Sequence, residues 1–113
     1  MKITPEIIAT EIFEWEYLPE YHWNVDDTIS PCWIYKGEFG PVYRQDLPTF
    51  QESEWTGPLL EKALKVGYHY IMANGENGPI FELYIKGHQG GFCSRNKSLN
   101  LAIAGAILEA EGK

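Results

Sequence analysis

Tyr68-His69-Tyr70-Ile71-Met72-Ala73, Asn74-Gly75-Glu76-Asn77-Gly78 and Pro79-Ile80-Phe81-Glu82-Leu83-Tyr84-Ile85-Lys86 form the continuous stretch on which the fold turns. The central five residues are turn formers, because Gly and Asn tolerate positive φ and Asn bonds its own backbone. In the run that follows, Phe81, Leu83 and Ile85 alternate with Glu82, Tyr84 and Lys86. Strand side chains point alternately to opposite faces, so this run has one buried face and one that is at least partly wet. The two runs read as a β-hairpin. A second turn, Gly87-His88-Gln89-Gly90-Gly91, leads to a third short strand from Phe92 to Arg95.

Helical patterns lie on both sides of this sheet. From a Ser98 cap to about Glu111, Leu99, Ile103, Ala106, Ile107 and Ala110 form one apolar stripe. Leu101, Ala104 and Leu108 form another on nearly the opposite side. A helix apolar on two sides has two neighbours, here a second helix or a second subunit, so a homodimer through this helix is one expectation. Upstream, Trp55, Leu59, Ala63 and Val66 share a helical stripe, with Leu60 and Leu64 beside it and Gly67 as the stop. Ser53 is the candidate cap, but Pro58 lacks a donor, which moves the start of regular helix toward Gly57.

The first helix is signalled by Thr4 as cap, Pro5 at the first helical position and Glu6 in the first turn. Ile7, Ile8, Ile12 and Trp15 fall on one side at 100° per residue. Phe13 falls opposite, with Glu6, Thr10 and Glu14, and the helix is expected to fade near Tyr17, ahead of Pro19. Residues 17–31 then read as a long acidic and aromatic loop. Trp33-Ile34-Tyr35 reads as a short strand, Gly37 and Gly40-Pro41 as a turn, and Val42-Tyr43-Arg44 as a return strand.

These elements predict one α+β domain over residues 1–113, an antiparallel sheet of three to five short strands packed with three helices as an αβ sandwich. A chain of 113 residues supports one core, and its 44% hydrophobic and 22% charged composition argues against disorder. No apolar run approaches the ~18 residues of a membrane span. Met1-Lys2-Ile3-Thr4-Pro5-Glu6 has no signal-peptide character. Cys32 and Cys93 are far apart and form no CxxC, so free thiols and a cytoplasmic location are expected. The net charge is −7, of which −6 falls in residues 1–30. Such a chain repels nucleic-acid phosphate and attracts basic partners.

The order of features resembles the small phage and prophage proteins of the phage ABA-sandwich family. The likeness rests on Glu11 to Trp15, Trp33, Leu47-Pro48-Thr49-Phe50 through Ser53, Leu59 to Leu64, and Ser98 through Glu109. These are packing and capping patterns. The run Ser53-Glu54-Trp55-Thr56-Gly57-Pro58 departs from the uninterrupted central helix of the family. The resemblance implies a phage origin, a helix-and-sheet sandwich and the reduced cytoplasm of a host. It brings no catalytic residues with it.

Catalytic and metal chemistry find little footing. Cys93 with His22, His69 or His88 offers the residue types of a thiol nucleophile and base without a local signature. His69, Glu82 and His88 do not make the dense cluster that a metal site needs, and no cofactor is expected. The glycine turn at 87–91 lacks phosphate-loop spacing. What stands out is the acidic, aromatic N-terminal third. Trp and Tyr are favoured at protein hot spots, and surrounding acids steer a basic partner. Phe13, Glu14, Tyr17, Glu20, Tyr21, Trp23, Asp26 and Asp27 are therefore the candidate partner-binding residues, with Phe13 expected to be exposed. The expected function is that of a non-catalytic phage accessory protein that binds a host protein with a basic surface, for instance to inhibit a defence system. The alternatives are a small-ligand protein that sequesters a nucleotide signal, with Trp and Tyr as stacking platforms, and a minor phage structural component.

Overall fold

The computed structural model describes residues 2–113; Met1, the first residue of the N-terminal stretch read above, lies outside them. Six strands form two separate three-stranded antiparallel sheets, in the orders β1-β2-β3 and β4-β5-β6. The second is the hairpin region that opens the sequence analysis: β4 (His69–Gly75), β5 (Gly78–Tyr84) and β6 (Gly91–Arg95). Its register puts Phe81 and Leu83 on one face with Ser94 and Phe92, and Glu82 on the other with Ile71 and Cys93. Phe81 and Leu83 are fully buried, as their alternation requires.

The cover over that face is α3 (Leu99–Ala110). Gly105 sets its closeness to the sheet, since a Cβ there would collide with Ser94 Oγ on β6. On its far side α3 meets α2 (Thr56–Val66) and the N-terminal helix. Ala104 and Leu108 are buried and Leu101 is half-buried, so both apolar stripes are covered within one chain. A second subunit is not needed to account for them. The body is thus layered as sheet, helix, then two helices, and the far face of the second sheet is left uncovered.

The N-terminal helix begins as the sequence predicts. Thr4 Oγ1 accepts from Ile7 N at 3.2 Å, and Pro5 opens α1 (Pro5–Ile7). It then widens into a π-helical turn, Ile8–Ile12, with Phe13 N donating to Ile8 O at 3.1 Å. The chain leaves the helix through Glu14, whose φ of 57° is left-handed and sterically costly for a non-glycine residue. The helix therefore ends at Ile12, with Phe13 as its C-cap, rather than near Tyr17. The wide turn also corrects the placing of Phe13. A turn closed from i to i+5 sets Phe13 above Ile8, on the core side, where α-helical spacing would set it across the helix.

Residues 17–31, read above as a loop, are mostly strand. β1 (Glu16–Trp23), β2 (Thr28–Gly37) and β3 (Gly40–Arg44) form a meander. The prolines misled the reading. Pro19 and Glu20 together stand opposite Pro31, between the pairs Leu18–Cys32 and Tyr21–Ser30, as a bulge on an edge strand. Neither proline breaks a ladder there, because β3 reaches only to Trp33 and leaves the distal half of β2 paired on one side.

This meander has no helix on either face and projects from the body as an arm. The radius of gyration is 15.8 Å and the molecule measures 52 × 30 × 24 Å, against about 13 Å expected of a compact chain this long. The arm is fastened by aromatic packing. Trp15 stacks on Tyr35 at 4.5 Å and meets Phe50 at 5.3 Å, and Phe50 meets Trp55 at 4.8 Å. Ahead of α2, residues Ser53–Trp55 form a 3-10 turn, and Ser53 makes no capping bond. Regular helix starts at Thr56, one residue before the expected Gly57. Leu59 and Ala63 are buried, whereas Leu64, placed beside their stripe above, is half exposed.

Candidate functional site

Built upward from β1, the arm distributes the expected partner-binding residues over different surfaces. Tyr17 pairs with Trp33, so it lies on the face of odd-numbered β2 residues, as does Ile29 opposite His22. The bulge at Pro19 and Glu20 shifts the register by one residue. A one-residue shift exchanges faces, so Tyr21 and Trp23 lie on the other side of the sheet from Tyr17. There Tyr21 packs edge-on to Trp23 at 5.0 Å and stacks on Tyr43 at 5.7 Å. Between Tyr21 on one outer strand and Tyr43 on the other lies Cys32, on the same face of the central strand and 0% exposed. Burial pushes the Cys32 thiol upward, with Glu16 adding to the shift and a backbone contact from Arg44 opposing it.

Asp26 and Asp27 sit in the turn at the tip of the arm. The Thr28 hydroxyl donates to Asp26 Oδ1 at 2.7 Å, and Asp27, at a left-handed φ of 55°, meets His22 Nε2. Both acids therefore close the turn as well as charge it. Phe13 is half-buried, stacked on Phe50 at 5.6 Å and 5.8 Å from Trp55, so it is no free surface anchor. The large apolar side chains that remain open on the arm are Val25 and Phe39, each 97% exposed in its two turns, and Ile29 at 70%, Tyr43 at 47% and Tyr17 at 43% on its strands. Ile29 and Tyr17 share one face, among five acids (Glu16, Glu20, Asp26, Asp27 and Glu38) against Lys36 and Arg44 over the whole arm.

Where the arm meets the body, a cleft of about 930 Å³ opens between its root and α2. Phe13 and Glu14 line it, and none of the other six expected binding residues does. Trp15, Tyr35 and Trp55 supply further aromatic wall, and Lys36, Lys62 and Lys65 bring positive charge. Sequence reading missed these lysines. Pro58, Lys62 and Lys65 recur at helical spacing, but only the fold brings Lys36 of β2 to the same place.

The groups weighed for catalysis stay apart from this cleft. Cys93 is exposed on the open face of the second sheet, and no hydrogen bond joins it to an imidazole among the described residues. His69 packs near Tyr84 at 5.7 Å and His88 near Phe92 at 4.8 Å. Tyr84 is raised above the ordinary phenol range, chiefly by a hydrogen bond with Glu82. The glycine stretch at 87–91 is a turn in which His88 N donates to Ile85 O at 3.1 Å, with Gly87 and Gly90 at positive φ. Among the described residues, no cluster of three or more His, Cys, Asp or Glu is placed to hold a metal ion. No described helix is long and apolar enough to cross a membrane. Comparison with protein-family models, with curated proteins and with solved structures finds no match.

Proposed function

We propose that this is a non-catalytic interaction protein whose projecting β-arm docks onto a partner protein with a basic surface. The observation that carries the reading is the arm itself: a sheet fastened to the body by aromatic packing at its root, with Ile29 and Tyr17 open on one face. A sheet face with exposed apolar side chains is an element that binds or aggregates. Its acids favour a basic partner and discourage self-association. In the phage setting that the sequence resemblance implies, the partner is a host protein and the consequence is inhibition of a host process such as defence.

The test is site-specific photo-crosslinking in cells, with the reactive residue placed in turn at Tyr17, Ile29 and Leu64. Leu64 is a half-exposed position on the body. Docking through the arm gives one crosslinked protein from Tyr17 and Ile29 and none from Leu64. Equal adducts from all three positions, or none from the arm, refute it.

A further inference from the structure

We propose that the cleft between the arm and α2 binds a nucleoside monophosphate, with its base against the aromatic wall and its phosphate on the lysines. The site is independent of arm docking and stands on its own geometry. Its volume of about 930 Å³ lies within the roughly 300–1,000 Å³ typical of small-ligand sites. The half-buried rings of Tyr35 and Trp55 line it, and a base of any kind can stack on an aromatic face, while Trp15, buried and stacked on Tyr35, backs that wall.

Charge narrows the ligand further. In a chain of net charge −7 with nine Lys and Arg, three lysines converge here, and none makes an ion pair among the described residues. Lys62 and Lys65 are neighbours on one side of α2, while Lys36 approaches from β2. Glu14 and Glu16 also line the cleft, leaving a surplus of one positive charge. That surplus suits a single phosphate. It disfavours a triphosphate, and the negative charge of the whole protein disfavours a polynucleotide. The two carboxylates are acceptors suited to ribose hydroxyls or an exocyclic amine.

The test uses AMP and GMP as probes, with adenosine and inorganic phosphate as controls, on the full chain. The proposal expects saturable quenching of tryptophan fluorescence and a melting temperature that rises with AMP or GMP concentration. Binding should weaken on added salt, and adenosine and phosphate alone should each bind at least tenfold more weakly. Lys62→Glu with Lys65→Glu should weaken nucleotide binding tenfold or more. Lys36→Ala, at an exposed position on a different element, should weaken it several-fold even if the double variant folds poorly. No response to millimolar AMP or GMP overturns the proposal. So does adenosine binding as tightly as AMP, or an affinity that Lys36→Ala leaves unchanged.

Discussion

The buried side-chain amide of Asn100, in the first turn of α3, donates to the carbonyl oxygen of Phe50 at 2.8 Å. The same Nδ2 reaches Glu52 O at 2.8 Å, and its Oδ1 accepts from the Thr56 hydroxyl at 2.7 Å. One polar side chain thereby satisfies the loop before α2 and the start of α2 together. It also holds Phe50, fully buried at a left-handed φ of 65°, against the aromatic root of the arm.

Asn100→Ala leaves the Phe50 carbonyl without the donor that Asn100 supplies, whereas Glu52 O keeps the bond from Trp55 N at 3.0 Å, and it should lower stability by roughly 1–3 kcal/mol. Asn100→Asp should cost more, because a carboxylate would face two carbonyl oxygens. Thermal or urea unfolding checks the order of the two variants. Near-wild-type stability in both would refute the role of Asn100 as the tie between α3 and the arm's root.

Phe13→Ala should destabilise the domain, toward the lower end of the ~3–5 kcal/mol typical of phenylalanine truncation in a core. Its ring is half-buried and packs on Phe50 and Trp55. A change within about 0.5 kcal/mol, as usual for surface positions, would return Phe13 to the exposed face that helical spacing assigns it.

Local pattern carried the second sheet, α3 and the capped start of the first helix, since each is specified by neighbours in sequence. Alternation at Phe81 and Leu83 and the double stripe around Leu108 are signals of this kind. The arm was illegible for a particular reason. Pro19 and Pro31 argue against strands unless a bulge places them opposite each other, and that pairing is a tertiary fact. Phe13 failed similarly, because a π-turn changes the angular spacing that the projection assumes. Asn100 reads in sequence as one polar residue in an apolar helix. Its partners lie 44 to 50 residues away, beyond any local periodicity. Of the proposed docking surface, the acidic and aromatic character was visible, and its division between two faces was not.

The two thiols should separate under a thiol-alkylating reagent at mildly alkaline pH. Cys93 is exposed and should label rapidly, whereas Cys32 should label only on unfolding. The raised Cys32 pKa adds a pH dependence. The folded state retains its thiol proton where the unfolded state has lost it. The contribution is therefore complete below the ordinary thiol range and is lost as pH rises through the folded value. Cys32→Ser should flatten that alkaline decline. Equal labelling rates for both cysteines would show that Tyr21 and Tyr43 do not shield Cys32.

The most direct measurement of arm docking is the affinity of the crosslinked partner for Ile29→Asp, read beside its melting temperature. Ile29 is 70% exposed, so the change should leave stability within about 0.5 kcal/mol. If the face shared by Ile29 and Tyr17 is the docking surface, affinity should fall tenfold or more, as at an interface hot spot. Leu64→Asp, on the body, should leave affinity unchanged. A partner that binds Ile29→Asp as tightly as the unaltered protein, with the fold intact, contradicts the account.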